Sequence, residues 1–205
     1  MFKRLNTGGS LLSAQEIRNC SSRMVDGGEE FYEAVQEMAT FPTFSNAISR
    51  LPDSSKEQRA DEELVLRYFA VTTFRDGYKG NIEEWLDTFM EGVLFGEIKF
   101  DIASSKARFE RVFSLIEQKL QSQAFTRFNG QGHATGRLAP AYFEAVVAVF
   151  DEASDELEAV SSAETLERLK SAFASEAFQE ATGPGANTIT KLQARIDAVK
   201  VHLLV

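Results

Sequence analysis

Residues 59–75 read RADEELVLRYFAVTTFR, and this stretch decides the fold. Its large apolar side chains fall on almost every side of a helical projection: Leu64, Val65, Leu66, Tyr68, Phe69, Val71 and Phe74. A helix that is apolar nearly all round is normally buried on several sides. We therefore predict that residues 59–75 form the central helix of a helical bundle.

The segment that follows carries one apolar stripe at spacings of three and four: Ile82, Trp85, Leu86, Phe89, Met90, Val93 and Leu94. A strand cannot present such a stripe on one face. The same periodicity predicts helices over residues 13–23, 29–40, 44–50, 102–125, 140–153, 163–181 and 189–203. The predicted fold is all-α, a globular bundle of about eight helices with an irregular N-terminal loop.

Residues 128–136 contain three glycines and have the composition of a loop. They are the best internal boundary, separating an N-terminal helical region, 1–127, from a C-terminal helical region, 137–205, although one continuous domain fits equally. The loop is not a P-loop, because five residues separate Gly130 from Gly136 and no Lys-Ser or Lys-Thr pair follows. A flexible connection is the favoured interpretation.

The composition limits the class of protein. With 205 residues, 43% hydrophobic content and 17 Phe, the chain can bury a sizeable core. A formal net charge of -9 argues against a whole surface built to bind nucleic acid, but leaves room for a local basic patch. Cys20 is the single cysteine, no signal-like start is seen, and no apolar run approaches the roughly 20 residues of a membrane span. We expect a cytoplasmic protein without membrane contact.

The start of the chain holds Asn6-Thr7-Gly8-Gly9, followed by a helix for which Ser13 and Glu16 have the spacing of a capping box. Paired glycines permit positive φ and expose backbone N–H groups, and a helix N-terminus attracts anions, so a phosphate would fit there. The alternative is a plain turn before a helix.

Residues 1–20, MFKRLNTGGSLLSAQEIRNC, resemble the FxxxN-type motif and following helix of the GmrSD-type restriction-system family, known as domain of unknown function 262. A second segment is similar to that family's Arg-x-x-Asp-x-Glu-x-x-Leu-Arg-Phe helix: Arg59, Asp61, Glu63, Leu64, Val65, Leu66, Arg67 and Phe69. Weaker matches occur at 142–145, Asn187, Thr188 and Arg195. The resemblance implies a nucleotide or phosphate contact through Arg4, Asn6, Thr7, Gly8, Gly9 and Arg18.

Family members usually begin with a sulfiredoxin-like or ParB-like half that carries Asp-Gly-Gln-Gln-Arg, and some end in a His-Asn-His nuclease. This sequence contains neither motif, and His133 and His202 are its only histidines. We therefore expect a non-catalytic helical scaffold, with no cofactor, that completes a site together with a missing N-terminal half or a separate subunit. Nucleic acid is expected only in that complex.

Two alternatives stay open. One is a free-standing nucleotide or nucleic-acid hydrolase that uses Asn6, Glu16 and Arg18. The other is a structural remnant that forms homo-oligomers through the apolar seam of the last helix. If an N-terminal half is missing, we expect an exposed apolar surface near the start of the chain, at Phe2, Leu5, Leu11 and Leu12.

Charged residues elsewhere are interpreted as structural. Arg67 follows Glu63 by four residues on the predicted central helix, so Glu63 or Asp61 is expected to pair with it. The carboxylates Asp151, Glu152, Asp155, Glu156 and Glu158 are predicted to form a solvated helix face. No His or Cys accompanies them, so zinc is not predicted.

Overall fold

A computed structural model of the chain describes residues 12–205, which form twelve α-helices and one short hairpin. The helices are α1 Ala14–Ser22, α2 Gly28–Ala39, α3 Pro42–Ala47, α4 Asp53–Lys56, α5 Ala60–Thr73, α6 Ile82–Leu94, α7 Ile102–Leu120, α8 Pro140–Glu152, α9 Ser154–Ala159, α10 Ser162–Ala174, α11 Glu176–Thr182 and α12 Ile189–Leu203. The strands β1 Arg127–Phe128 and β2 Ala134–Thr135 pair antiparallel. The all-α prediction is confirmed; the expected irregular N-terminal loop lies outside the described residues.

Several predicted boundaries were wrong, each for a local reason. The predicted helix 163–181 is two helices, because Ser175 has extended backbone and its hydroxyl accepts from the Phe178 N–H at 3.3 Å to cap a new helix. The predicted helix 102–125 ends at Leu120, because Gln121 has a φ of 52°. The predicted loop 128–136 contains part of the β1–β2 hairpin.

The core is built around α5 and α8, which pack against each other. Helix α5 also contacts α2 and α6, and its apolar residues from Leu64 to Val71 are buried, as its sequence predicts. Helix α8 is more enclosed than expected, because every residue from Tyr142 to Phe150 is buried rather than one face only. It contacts α5, α7, α9 and α12.

Aromatic rings join α3, α5 and α7 at the centre of the bundle. The Phe109 ring lies 4.4 Å from that of Phe113, 5.1 Å from Tyr68 and 5.2 Å from Phe44, measured between ring centroids. The Phe109 side chain is fully buried. Such contacts add to the free energy of simply burying the rings.

The apolar seam of α12 faces the inside of the same chain. Leu192, Ile196, Val199 and Leu203 are buried, and α12 packs on α8, α10 and α11. Only Ile189, at 44% exposure, remains accessible. The seam is therefore already occupied and does not support the homo-oligomer that the sequence suggested.

One hydrophobic core includes residues from both sides of the hairpin, such as Phe69 and Phe113 before it and Phe143 and Ile196 after it. Regions 1–127 and 137–205 thus share apolar packing in their described parts. Over residues 12–205, every helix is too short or too polar to cross a membrane.

The central ring cluster gives a direct test of the packing. Phe109→Ala should lower the free energy of unfolding by about 3–5 kcal/mol, since it leaves a cavity among buried rings. Phe95, which is 65% exposed, provides the matched control, and Phe95→Ala should change stability by no more than about 0.5 kcal/mol. Urea unfolding followed by circular dichroism measures both. Equal losses would contradict the assigned burial.

Candidate functional site

The start of α1 has the geometry predicted from its sequence. The Ser13 hydroxyl accepts from the Glu16 N–H at 3.2 Å, and the Glu16 carboxylate accepts from the Ser13 N–H at 2.7 Å, which is a complete capping box. The Ser13 hydroxyl also donates to the Gln58 carbonyl at 2.8 Å. Of the expected phosphate-contact residues, Arg4, Asn6, Thr7, Gly8 and Gly9 lie outside the described residues.

Arg18, the remaining expected phosphate contact, is buried at 2% exposure on α1. Its Nε donates to the Asp87 carboxylate at 2.7 Å, and its Nη1 lies 3.3 Å from the Glu63 carboxylate. The Gln15 amide oxygen accepts from it at 3.1 Å. This environment fixes α1 to α5 and α6, and directs the guanidinium toward the protein interior.

Glu63 and Arg67 pair on α5 as their spacing suggests, with Arg67 Nη2 and Glu63 Oε1 2.9 Å apart. Arg67 also donates from Nη1 to the Glu144 carboxylate at 2.7 Å. Asp61 does not take part in this pair; its carboxylate accepts from the Glu62 N–H at 3.0 Å. Arg67 therefore links α5 to α8.

The polar chain continues to the last helix. Arg195 on α12 pairs with Glu144, and both side chains are 2% exposed. Arg195 also donates to the Ala186 carbonyl at 3.1 Å. These ion pairs link five side chains of alternating charge in the order Arg18, Glu63, Arg67, Glu144 and Arg195. We call this row the buried charge chain, and it joins α1, α5, α8 and α12.

Burial and the neighbouring charges shift the pKa values of Glu63 and Arg67, two members of the buried charge chain, in opposite directions. Burial alone would raise the pKa of Glu63, but Arg67 and Arg18 outweigh it and the pKa is lowered. Burial would lower the pKa of Arg67, but Glu144 and Glu63 outweigh it and the pKa is raised. Both groups therefore stay ionised across the ordinary pH range.

Two buried polar atoms beside this chain have no hydrogen-bond partner among the described residues: Tyr78 Oη and Arg195 Nε. Burial and the nearby Glu144 charge raise the pKa of Tyr78, so its phenol stays protonated. Unpartnered buried polar groups are uncommon and destabilising. Sequence reasoning missed Glu144 and Arg195 as members of the network, although Glu144 is a charged residue inside an apolar run.

The acidic residues at the end of α8 and in α9 are not all solvated. Asp151 has a side chain only 2% exposed, accepts from the Tyr68 hydroxyl at 2.7 Å and pairs with Arg108. Burial and the Asp151 charge raise the pKa of Tyr68 far above its ordinary value. The prediction of a solvated face was wrong for Asp151, because α5 and α7 cover it. Asp155, by contrast, is exposed.

Within the part of the chain that the structure describes, no group of three His, Cys, Asp or Glu side chains is placed to hold a metal ion. Comparison with protein-family models, with curated proteins and with solved structures finds no match. The family resemblance of residues 1–20 and 59–69 therefore remains a hypothesis drawn from the residues themselves.

The centre of the buried charge chain yields the first test of this site. Glu144→Gln should lower the free energy of unfolding by about 3–5 kcal/mol, because it leaves Arg67 and Arg195 buried with only part of their compensation. Arg111→Gln is the control, since Arg111 and its carboxylate partners are solvent-exposed, and it should leave the unfolding midpoint unchanged. Similar midpoints for the two variants would show that Glu144 is not a buried charge.

Glu63 predicts the pH dependence of stability. Its folded-state pKa lies below the ordinary 4.5, so its stabilising contribution is present above pH 4.5 and is lost as the pH falls toward the folded pKa. The stability difference between the parent and Glu63→Gln should be constant near neutral pH and shrink below pH 4.5. Urea unfolding at a series of pH values measures it. A difference that grows on acidification would refute the lowered pKa.

Proposed function

We propose that this chain is a non-catalytic helical scaffold and interaction module of a GmrSD-type restriction or phage-defence protein. The residues ahead of α1 (Arg4, Asn6, Thr7, Gly8 and Gly9) contribute to a nucleotide or nucleic-acid site that another domain or subunit completes. The motif similarity of residues 1–20 supports the assignment to the GmrSD-type family. The polar contacts that attach α1 to the bundle support the role as a scaffold.

The attachment of α1 is the observation that carries the proposal. This nine-residue helix is held by polar contacts that begin at its cap: Ser13 binds the Gln58 carbonyl, and Arg18 pairs with Glu63 and Asp87. Asn19 adds a hydrogen bond to the Glu62 carboxylate. A helix pinned in this way fixes the position of residues 12 and 13, to which the segment ahead of α1 is joined, as a scaffold for a composite site requires.

The same geometry disfavours the free-standing hydrolase. That alternative needs Arg18 and Glu16 at the reaction, yet Arg18 is buried against its own carboxylate partners and Glu16 is engaged in the helix cap. We therefore propose Arg18 as a positioning residue for the segment ahead of α1 rather than as a phosphate contact.

One of the four residues expected to form an apolar partner surface, Leu12, belongs to the described part of the chain, and it is 45% exposed. The other three residues named for this surface, Phe2, Leu5 and Leu11, lie outside the described part. Leu12 stands directly before the capped start of α1, so a partner that covers it would also contact the proposed site.

The proposal is tested by mixing the chain with the sulfiredoxin-like or ParB-like domain of a GmrSD-type protein. The chain alone should neither hydrolyse nucleoside triphosphates nor cut DNA, whereas the mixture should show triphosphate turnover. Asn6→Ala should lower that turnover by about tenfold or more, equivalent to about 1.4 kcal/mol in transition-state stabilisation. Asn46→Ala, which changes an exposed asparagine on α3, is the matched control and should have no effect.

Two results would count against the proposal. Turnover by the chain alone that disappears in the Asn6→Ala, Arg18→Ala double variant would favour the hydrolase. Failure of the domain to bind, judged by sedimentation equilibrium with the intact chain, would remove the interaction role.

A further inference from the structure

A cleft of about 630 Å³ lies between the β1–β2 hairpin and helices α8, α10 and α11. Ligand pockets are commonly roughly 300–1,000 Å³ in volume. Its wall includes three aromatic side chains, Phe128, Tyr142 and Phe173, and two cationic ones, Arg127 and Lys170. It is separate from the buried charge chain and from the segment ahead of α1.

The hairpin that forms one wall has a defined structure, in contrast to the flexible connection expected from its composition. The Asn129 side chain accepts from the N–H groups of Gln131 and His133, each at 3.0 Å. The Asn129 N–H in turn donates to the His133 carbonyl at 2.9 Å. These bonds close the turn and hold the adjacent Phe128 ring in place.

Packing fixes the hairpin against α10. The Phe128 ring stacks on Phe173 with centroids 6.0 Å apart, and Lys170 Nζ lies 5.7 Å from the Phe128 centroid. Gly132 has a φ of +76°, a left-handed conformation that favours glycine, and Lys170 Nζ lies 3.5 Å from the position of a Cβ there. Phe128 is nonetheless only partly buried, so part of its ring is accessible from the cleft.

The hairpin segment is basic, in contrast to the acidic chain as a whole. No Asp or Glu occurs between Glu117 and Glu144, whereas Arg127 and Arg137 lie at the base of the hairpin. Both arginines are exposed, and neither forms an ion pair with any residue in 12–205. Lys170 is partly neutralised by Glu167 at 2.7 Å, so Arg127 supplies the uncompensated charge of the cleft lining.

Arg127 lines the cleft, whereas Arg137 follows the hairpin and lies outside the cleft lining. Arg127 pairs with Thr135 across the hairpin, and Arg137 follows Thr135 by two residues. A third cation, Arg50, donates from its Nη1 to the carbonyl of Gly136, the residue before Arg137, at 3.4 Å. Cations next to an accessible aromatic ring are the combination that binds a phosphate and stacks a base in single-strand binding proteins.

We propose that this cleft binds a nucleotide unit, that is, a phosphate joined to a planar base, either free or within a single strand. Arg127 and Lys170 contact the phosphate, and the base packs against the accessible part of Phe128. The inference is independent of the function proposed above, because it needs neither a partner domain nor the residues ahead of α1.

The test uses the full chain and a fluorescein-labelled single-stranded oligothymidylate, with binding followed by fluorescence anisotropy at low salt. Arg127→Gln, Lys170→Gln should weaken binding by about tenfold or more and reduce the slope of log K against log salt by about 1.4, for two lost phosphate contacts. Lys79→Gln, Lys99→Gln is the control, since it removes the same charge from two exposed lysines outside the cleft. Phe128→Leu should weaken binding without changing the slope, because it removes stacking but no charge.

Competition with thymidine monophosphate and with an acidic peptide identifies the ligand. Displacement by the mononucleotide supports a site for the free nucleotide, and binding of the oligonucleotide without such displacement supports a single strand. The proposal is overturned if the acidic peptide competes as well as the oligonucleotide, if the two double variants weaken binding equally, or if the parent chain does not bind. Unchanged thermal midpoints in all variants show that the losses do not come from unfolding.

Discussion

The structure depends on the alternating buried charge chain from Arg18 to Arg195. Its three arginines are each paired with a carboxylate, from Glu63, Glu144 or the flanking Asp87. Burying any one of these ions alone would cost several kcal/mol, and only mutual pairing makes the arrangement tolerable. Because the partners come from α1, α5, α6, α8 and α12, the helices must meet in one arrangement for all the charges to be compensated.

Helix α8 shows why the charges matter to a core that is otherwise apolar. The buried run Tyr142–Phe150 has apolar residues on every side, so hydrophobic packing alone gives this helix little preferred rotation about its axis. Glu144 is the only ionisable carboxylate in that run and must face both Arg67 and Arg195. The carboxylate therefore determines which side of α8 faces α5 and α12, which is conformational specificity in addition to stability.

The helices were largely predictable because apolar periodicity and capping are local signals. The Ser13 and Glu16 cap, the α6 stripe and the α12 seam all follow from spacings of three or four residues. The Glu63–Arg67 pair of the charge chain was predictable for the same reason, since the two residues are one helical turn apart. Glu144 and Arg195 are 51 residues apart, and no local pattern encodes their meeting. The one local hint is that Glu144 is a charged residue within an apolar run. Asp151 could not be recognised in this way, because its neighbours in the sequence are acidic and exposed although its own carboxylate is buried.

An arginine that is paired with a carboxylate serves the structure, whereas an arginine without such a partner has a charge that is available to a ligand. Arg18, Arg67, Arg195 and Arg108 are each paired with a carboxylate, so their fields are largely cancelled within the protein. Arg127 and Arg137 have no such partner in the described part of the chain. Charges are screened over about 8–10 Å at physiological ionic strength, so acidic residues far from the hairpin have little influence there, and the nearby Glu167 is paired with Lys170. A phosphate approaching the hairpin is therefore attracted by local cations, even though the protein as a whole is acidic.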